Sequence, residues 1–231
     1  MEVRGRTALI TGANRGLGLA LVEAFKAAGA SKVYAAARRP DSVRAEGVVP
    51  VALDVTDADA ASRVAKHCSD TQILINNAGI VIGAPTFSDG FASGARAMLE
   101  TNFFGTWNVS KAFAPVLASN GGGAIVNILS VLTWLSMEGR VGYSAAKVAA
   151  WALTNGMRKE LRNQGILVSA LHVGYIDTDM TTHLDNVNKA SPHDVARKVI
   201  EGIRDERPEI LADERSVQIK AALGSAQPPY V

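Results

Sequence analysis

The sequence predicts an α/β protein built on a single doubly wound parallel sheet, with helices on both faces. Short apolar runs alternate with helical segments along nearly all of its 231 residues. These runs are continuously apolar, which is typical of strands buried on both faces of a parallel sheet. The length suits one domain of this class, and neither a linker nor a repeat divides the chain.

About seven strands are expected. They cover 7–11, 32–37, 48–55, 72–79, 122–130, 166–174 and 209–213. The expected helices cover 18–30, 57–68, 88–118, 142–163 and 191–205. Ser191 is the expected N-cap of the last helix, because Pro192 follows it at the first helical position. We expect one domain over residues 1–224, followed by a loose tail at 225–231.

Composition argues against several classes of protein. The 24 basic and 22 acidic residues nearly cancel, so nothing marks a partner of nucleic acid or of an anionic membrane. No apolar run is long enough to span a membrane or to resemble a secretion signal, and we therefore expect a cytoplasmic protein. Cys68 is the only cysteine, so no internal disulfide forms. The four histidines are scattered, and no metal site is expected.

The first predicted strand runs directly into a glycine-rich turn, TGANRGLG, at residues 11–18. Gly12, Gly16 and Gly18 permit a tight turn, and the following helix offers free N–H groups to a phosphate. This placement predicts a Rossmann-type dinucleotide site. The loop residues expected to contact the cofactor are Gly12, Asn14, Arg15, Gly16, Leu17 and Gly18.

The end of the second predicted strand indicates which cofactor is bound. A carboxylate at that position would hold the ribose hydroxyls of NAD, but the sequence there reads Ala37, Arg38, Arg39. Guanidinium groups bind a 2′-phosphate through paired hydrogen bonds, and Arg15 in the glycine loop adds another. We therefore expect NADP(H), with Arg38 as a ligand. Arg39 is alternatively a solvated surface residue.

One otherwise apolar helix carries Tyr143 and Lys147 four residues apart, near its beginning. Residues at this spacing share one helix face. A lysine laid over a half-buried ring is the ordinary reading of such a pair. The pair indicates a functional site only if other residues of the chain belong to the same site.

Six motifs, in the order typical of one family, supply such residues. With these motifs the chain resembles the short-chain dehydrogenase/reductase family over nearly its whole length. The motifs are TGANRGLG, LDV with Asp54, NNAG at 76–79, TNFFG with Asn102, NILS with Ser130, and YSAAK with Tyr143 and Lys147. The resemblance implies an NADP(H)-dependent oxidoreductase, similar to carbonyl reductases and alcohol dehydrogenases of the family.

The resemblance also implies roles for four residues. Tyr143 would be the general acid in carbonyl reduction and the base in alcohol oxidation. Lys147 and the oxidised nicotinamide would lower the tyrosine pKa from its usual value near 10. Ser130 would bind the substrate oxygen, and Asn102 would hold a water of a proton relay. Alternatively, Ser130 only caps the strand end and Asn102 only packs at a kink.

Further cofactor contacts follow from the same resemblance. The residues it assigns are Asp54, Val55, Asn76, Ala78, Gly79, Tyr143, Lys147, Gly174, Ile176 and Thr178. Asp54 would accept a hydrogen bond from the adenine amino group, and Thr178 would reach the nicotinamide amide. One departure is Val173, which stands where the family usually has proline before Gly174.

The expected substrate pocket is formed by loops that follow the middle strands. Its residues are Ile80, Leu132, Trp134, Tyr175 and Met180. They are mainly apolar and uncharged, which favours a neutral, moderately hydrophobic ketone or aldehyde. Trp134 alternatively packs at a subunit interface, since helices 88–118 and 142–163 are expected to pair in a homodimer or homotetramer. A non-catalytic NADP(H)-binding regulator, and reduction of an imine or of an acyl-carrier ketone, remain alternative functions.

Overall fold

The computed structural model describes residues 1–230, and its centre is a seven-stranded parallel sheet. The strands are β1 (Thr7–Thr11), β2 (Lys32–Ala37), β3 (Val49–Ala52), β4 (Ile73–Asn76), β5 (Gly123–Ile128), β6 (Ile166–His172) and β7 (Glu209–Leu211). Their order across the sheet is β3-β2-β1-β4-β5-β6-β7. All neighbouring pairs are parallel, which confirms the predicted fold class.

Within residues 1–230, seven α-helices surround the sheet. They are α1 (Gly16–Ala27), α2 (Ala58–His67), α3 (Phe91–Leu99), α4 (Gly105–Ser119), α5 (Val141–Glu160), α6 (Pro192–Arg204) and α7 (Glu214–Ala222). One face of the sheet packs against α1 and α6, where Phe25 is fully buried. The other face packs against α2, α4 and α5, where Phe113 is fully buried. Because both faces of the sheet are buried, polar and apolar residues do not alternate along the strands.

The predicted elements are found, with local differences. The expected helix at 88–118 begins at Phe91 and is interrupted by a π-helical segment, Glu100–Phe104, before α4. Helix α7 and a two-stranded ribbon of Tyr175–Ile176 with Lys189–Ala190 were not predicted. Ser191 precedes α6 without a side-chain cap hydrogen bond.

Strands β1 and β4 are neighbours at the centre of the sheet, and this places the site. The chain winds outward from β1 in one direction and from β4 in the other, which opens a crevice at the carboxyl ends of both strands. Asn77 closes the base of this crevice, since its Nδ2 donates to the main-chain oxygen of Thr11 at 2.8 Å. The glycine-rich turn and the NNAG motif therefore face each other.

Residues 225–230 form neither helix nor strand, and Tyr230 is exposed. Val231, the end of the predicted tail, lies outside the described residues, and the boundary at 224 stays a prediction. Within residues 1–230, no helix is both long and apolar enough to cross a membrane.

Candidate active site

The glycine-rich turn leaves no room for side chains. Gly12 and Gly16 have φ angles of +65° and +53°, in the left-handed region that favours glycine. A Cβ on Gly18 would overlap the main-chain oxygen of Gly12. The N-terminus of α1 has no side-chain cap, so its first N–H groups are open to a phosphate. The turn fits the pyrophosphate of a dinucleotide.

Basic residues line the expected adenosine end. Arg38 follows β2, is exposed, and lies close enough to Asp54 for its charge to help lower the pKa of that carboxyl. Hydrogen bonds from the main chain and hydroxyl of Thr56 are the larger causes of that lowering. Arg15 is exposed and lies 3.5 Å from Asp179 across the crevice. Val55 is buried, and its main-chain oxygen accepts from Asn108 at 3.1 Å.

The NNAG motif holds the end of β4 in place through side-chain and main-chain hydrogen bonds. Asn76 is 5% exposed, and its Nδ2 donates to Ser110 Oγ at 2.9 Å and to Asn127 Oδ1 at 2.8 Å. Its side chain therefore ties β4 to α4 and β5 in the interior. The N–H of Ala78 donates to Thr11 Oγ1 at 3.0 Å, which holds this stretch against β1.

Ser130, Tyr143 and Lys147 meet at the mouth of the crevice. Ser130 follows β5, and its hydroxyl lies beside the Tyr143 phenol in the first turn of α5. Lys147 lies one turn further along, with Nζ 5.6 Å from the centre of the tyrosine ring. This lysine is 6% exposed, and its Nζ donates to the main-chain oxygen of Ile128 at 2.7 Å.

Burial dominates the titration of this pair. It raises the pKa of Tyr143 to about 12, although the Ser130 hydroxyl and then the Arg140 charge act to lower it. It lowers the pKa of Lys147 to about 8. In the protein alone, desolvation of the phenolate outweighs the Ser130 hydrogen bond and the Arg140 charge, so the lowered tyrosine pKa stays a prediction for the complex with the oxidised cofactor. The second cation that the prediction invoked, the oxidised nicotinamide, belongs to the cofactor.

Asn102 lies in the π-helical segment and is 2% exposed. Its Oδ1 accepts from the N–H of Ile80 at 2.8 Å, and its Nδ2 donates to the Ile80 oxygen at 2.9 Å. The side chain thus holds the loop after β4. Its predicted part in a proton relay stays a prediction, since this structural role occupies the amide group.

The loop after β6 packs against the glycine-rich turn. The N–H of Gly174 donates to Asp213 Oδ2 at 2.9 Å, and a Cβ on Gly174 would lie 2.8 Å from that oxygen. Thr178 faces Gly16, where an added Cβ would lie 3.2 Å from its methyl group. Val173, the departure from the family, is buried in the core. Ile176 pairs with Ala190 in the ribbon.

The predicted pocket residues separate into two groups. Ile80, Leu132 and Met180 lie in the connections that follow β4, β5 and β6, and Tyr175 lies in the two-stranded ribbon after β6. Trp134 instead stacks on His172, with ring centres 4.0 Å apart, and Lys220 of α7 covers the indole. Its side chain is thus engaged beneath α7, and its place in the substrate pocket stays a prediction.

Sequence reasoning missed two residues near Ser130 and Tyr143. His172 ends β6, is fully buried, and its Nδ1 lies 3.3 Å from the main-chain oxygen of Ser130. Burial lowers its pKa to about 4, so the 3.7 Å approach to Glu209 is not an ion pair at neutral pH. Arg140 precedes α5, and its spacing of three residues from Tyr143 was the available signal.

Comparisons with known proteins agree with this geometry. A family model described as short chain dehydrogenase matches residues 6–189. The chain therefore belongs to the short-chain dehydrogenase/reductase family, and it is an oxidoreductase.

Three relatives show the range within the family. A short chain dehydrogenase from Burkholderia cenocepacia, solved in complex with NADP, is 36% identical with a TM-score of 0.93, over 98% of this chain and 95% of that one. The 3-oxoacyl-[acyl-carrier-protein] reductase FabG of Vibrio cholerae is 30% identical over 83% of this chain and 82% of its own length. A gluconate 5-dehydrogenase from Burkholderia cenocepacia, in complex with NADP and tartrate, is 27% identical with a TM-score of 0.78, over 87% and 89%.

Proposed function

We propose that the protein is an NADP(H)-dependent carbonyl reductase that converts a ketone or aldehyde with an apolar body to an alcohol, reversibly. The observation that carries the proposal is the meeting of Ser130, Tyr143 and Lys147 beside the glycine-rich crevice. The reduced nicotinamide, when bound, supplies the hydride. The protein supplies position and proton transfer.

Ser130, Tyr143 and Lys147 have separate roles in the proposed reaction. Ser130 and Tyr143 hydrogen-bond the carbonyl oxygen, and Tyr143 donates its proton to that oxygen as the alcohol forms. Because burial holds the pKa of Tyr143 high, the phenol is protonated and ready for reduction at neutral pH. Lys147, anchored on the Ile128 oxygen, holds the nicotinamide ribose and lowers the cost of the transient phenolate.

Preference for NADP(H) is supported by three arginines and by the absence of a carboxylate directly after β2. Arg38 and Arg39 follow the strand, and Arg15 stands at the start of α1. The 36% identical structural relative was solved with NADP. We propose Arg38 and Arg15 as ligands of the 2′-phosphate.

We also propose that the protein forms a homodimer or homotetramer through α4 and α5. Three large apolar side chains on these helices and the preceding π-helical segment are more than 40% exposed: Phe104, Trp107 and Val148. Exposed apolar side chains grouped in this way favour an interface. Sedimentation of the purified protein tests this proposal, and a monomer at micromolar concentration would reject it.

The sequence predicted a neutral substrate because the expected pocket residues carry no charge. In the structure, Arg140 adds a positive charge next to Tyr143. An acyl-carrier ketone remains a second candidate, since one relative is a 3-oxoacyl-[acyl-carrier-protein] reductase.

The test is oxidation of NADPH and of NADH with a panel of neutral ketones and 3-oxoacyl thioesters, for the wild type and Tyr143→Phe. We expect turnover with NADPH that falls by about a thousandfold in the variant, as for loss of a proton donor. NADPH binding by the variant, measured by fluorescence, should persist. Tight NADPH binding without turnover on any carbonyl would favour the regulator.

A further inference from the structure

Three loops meet at Arg140, next to the proposed active site. Its own loop joins β5 to α5, and the Gly139 oxygen accepts from the N–H of Ala84 at 3.1 Å in the loop after β4. The guanidinium Nη2 lies 3.4 Å from Nε2 of His183, in the loop after β6. Arg140 therefore connects both loops that border the expected substrate pocket.

The guanidinium lies close to the main chain of the loop after β4. A Cβ on Gly83 would lie 3.2 Å from Nη1 of Arg140, so only glycine leaves ordinary space there. The side chain is half-buried rather than free in solvent. Its charge also acts on Tyr143, where it helps to lower the phenol pKa. The guanidinium thus lies near the reacting group.

No carboxylate within residues 1–230 neutralises this charge at ion-pair distance. The bordering loops contain Glu138, Asp177, Asp179 and Asp185. Of these, Asp179 lies against Arg15 instead. A half-buried guanidinium without a carboxylate, beside an imidazole that accepts or donates a hydrogen bond, is suited to a planar anion.

We propose that Arg140, assisted by His183, binds a carboxylate of the substrate, so that the preferred substrate is an oxo acid with an apolar chain. This inference rests on the proposed carbonyl reduction. The apolar residues Ile80, Leu132 and Met180 would contact the chain, while Ser130 and Tyr143 bind the carbonyl oxygen. Arg140 would select for the acid over its ester.

The test compares linear oxo acids of six to ten carbons with their methyl esters, at saturating NADPH. For the wild type we expect kcat/KM at least about tenfold higher for the best acid than for its ester, the size of one charge-assisted hydrogen bond. Arg140→Met should remove this preference, and Arg140→Lys should restore part of it. The ratio is the readout, because Arg140 also affects Tyr143 and can change both rates.

Arg162→Met is the matched control, since Arg162 is an exposed arginine beyond the far end of α5. It should keep the wild-type ratio. A calorimetric measurement adds a readout without turnover: a saturated fatty acid should bind the NADP⁺ complex of the wild type more tightly than that of Arg140→Met.

Two outcomes would overturn the inference and leave carbonyl reduction standing: equal turnover of acid and ester, or an acid preference that survives Arg140→Met. If an oxo phosphonate were turned over faster than the matching oxo acid, the inferred carboxylate would be wrong, and the group bound by Arg140 would be a larger anion. Absence of turnover on every carbonyl, with NADPH bound, would instead reject the proposed function itself.

Discussion

Asn102 and Ile80 are joined by two hydrogen bonds, one to each polar group of the Ile80 main chain. The side-chain amide of Asn102 thereby replaces a sheet or helix partner for the loop after β4. The same asparagine lies in the π-helical segment, where the Oγ1 of Thr106 donates to its main-chain oxygen at 2.9 Å. A residue expected to relay protons is therefore also a structural link.

We expect Asn102→Ala to lower the free energy of unfolding by about 1–3 kcal/mol, because two partly buried main-chain groups lose their partners. Activity should fall as well, since the loop beside the carbonyl site is released. Urea unfolding and kcat/KM measure the two effects separately. A variant of unchanged stability that has lost activity would leave the proton relay as the main role of Asn102.

Lys147 should make stability increase with pH. Its pKa is lowered from 10.5 to about 8, so between these values the folded state has released a proton that the unfolded state retains. The unfolded state then binds more protons, and the free energy of unfolding rises with pH over that window. The wild type should gain stability from pH 8 to 10 relative to Lys147→Met. Parallel stability curves for the two proteins would contradict the lowered pKa.

Glycines at two positions should respond in opposite ways to alanine. Gly18→Ala places a methyl group against the Gly12 main chain, so NADPH binding should weaken by at least about tenfold or the fold should fail. Gly156 lies inside α5 with open space around its Cβ position. Gly156→Ala should therefore stabilise the protein by about 0.5–1 kcal/mol. Thermal unfolding measures the stability of each variant, and fluorescence titration measures its affinity for NADPH. The same change in both quantities for the two variants would contradict this distinction.

The sheet could be predicted from sequence because its strands are mostly apolar and helical segments separate most of them along the chain. Arg140 and His172 were missed for a different reason. Neither belongs to a motif, and each reaches the site through contacts between loops or strands that are distant in sequence. Arg140 meets Gly83 and His183, while His172 meets Ser130. The rise of the tyrosine pKa in the protein alone could not be predicted, because burial is a property of the packed structure.

His172 contacts the main chain of Ser130, and this contact gives a prediction for both stability and reaction rate. Its Nδ1 lies 3.3 Å from the main-chain oxygen of Ser130, while its ring stacks on Trp134. His172→Phe keeps a ring for stacking and removes the hydrogen bond. We expect kcat/KM to fall by about tenfold, equivalent to roughly 1.4 kcal/mol, because Ser130 is less well placed.

The pH dependence of stability tests whether the buried His172 ring is neutral in the folded protein. The pKa of His172 is lowered from 6.5 to about 4, so the unfolded state binds the extra proton between these values. The contribution of the neutral ring is complete above pH 6.5 and is lost as the pH falls towards 4. His172→Phe should lack this loss, so its stability curve should be flatter than that of the wild type between pH 6.5 and 4. Equal slopes, measured by urea unfolding at each pH, would show that His172 is protonated in the folded protein.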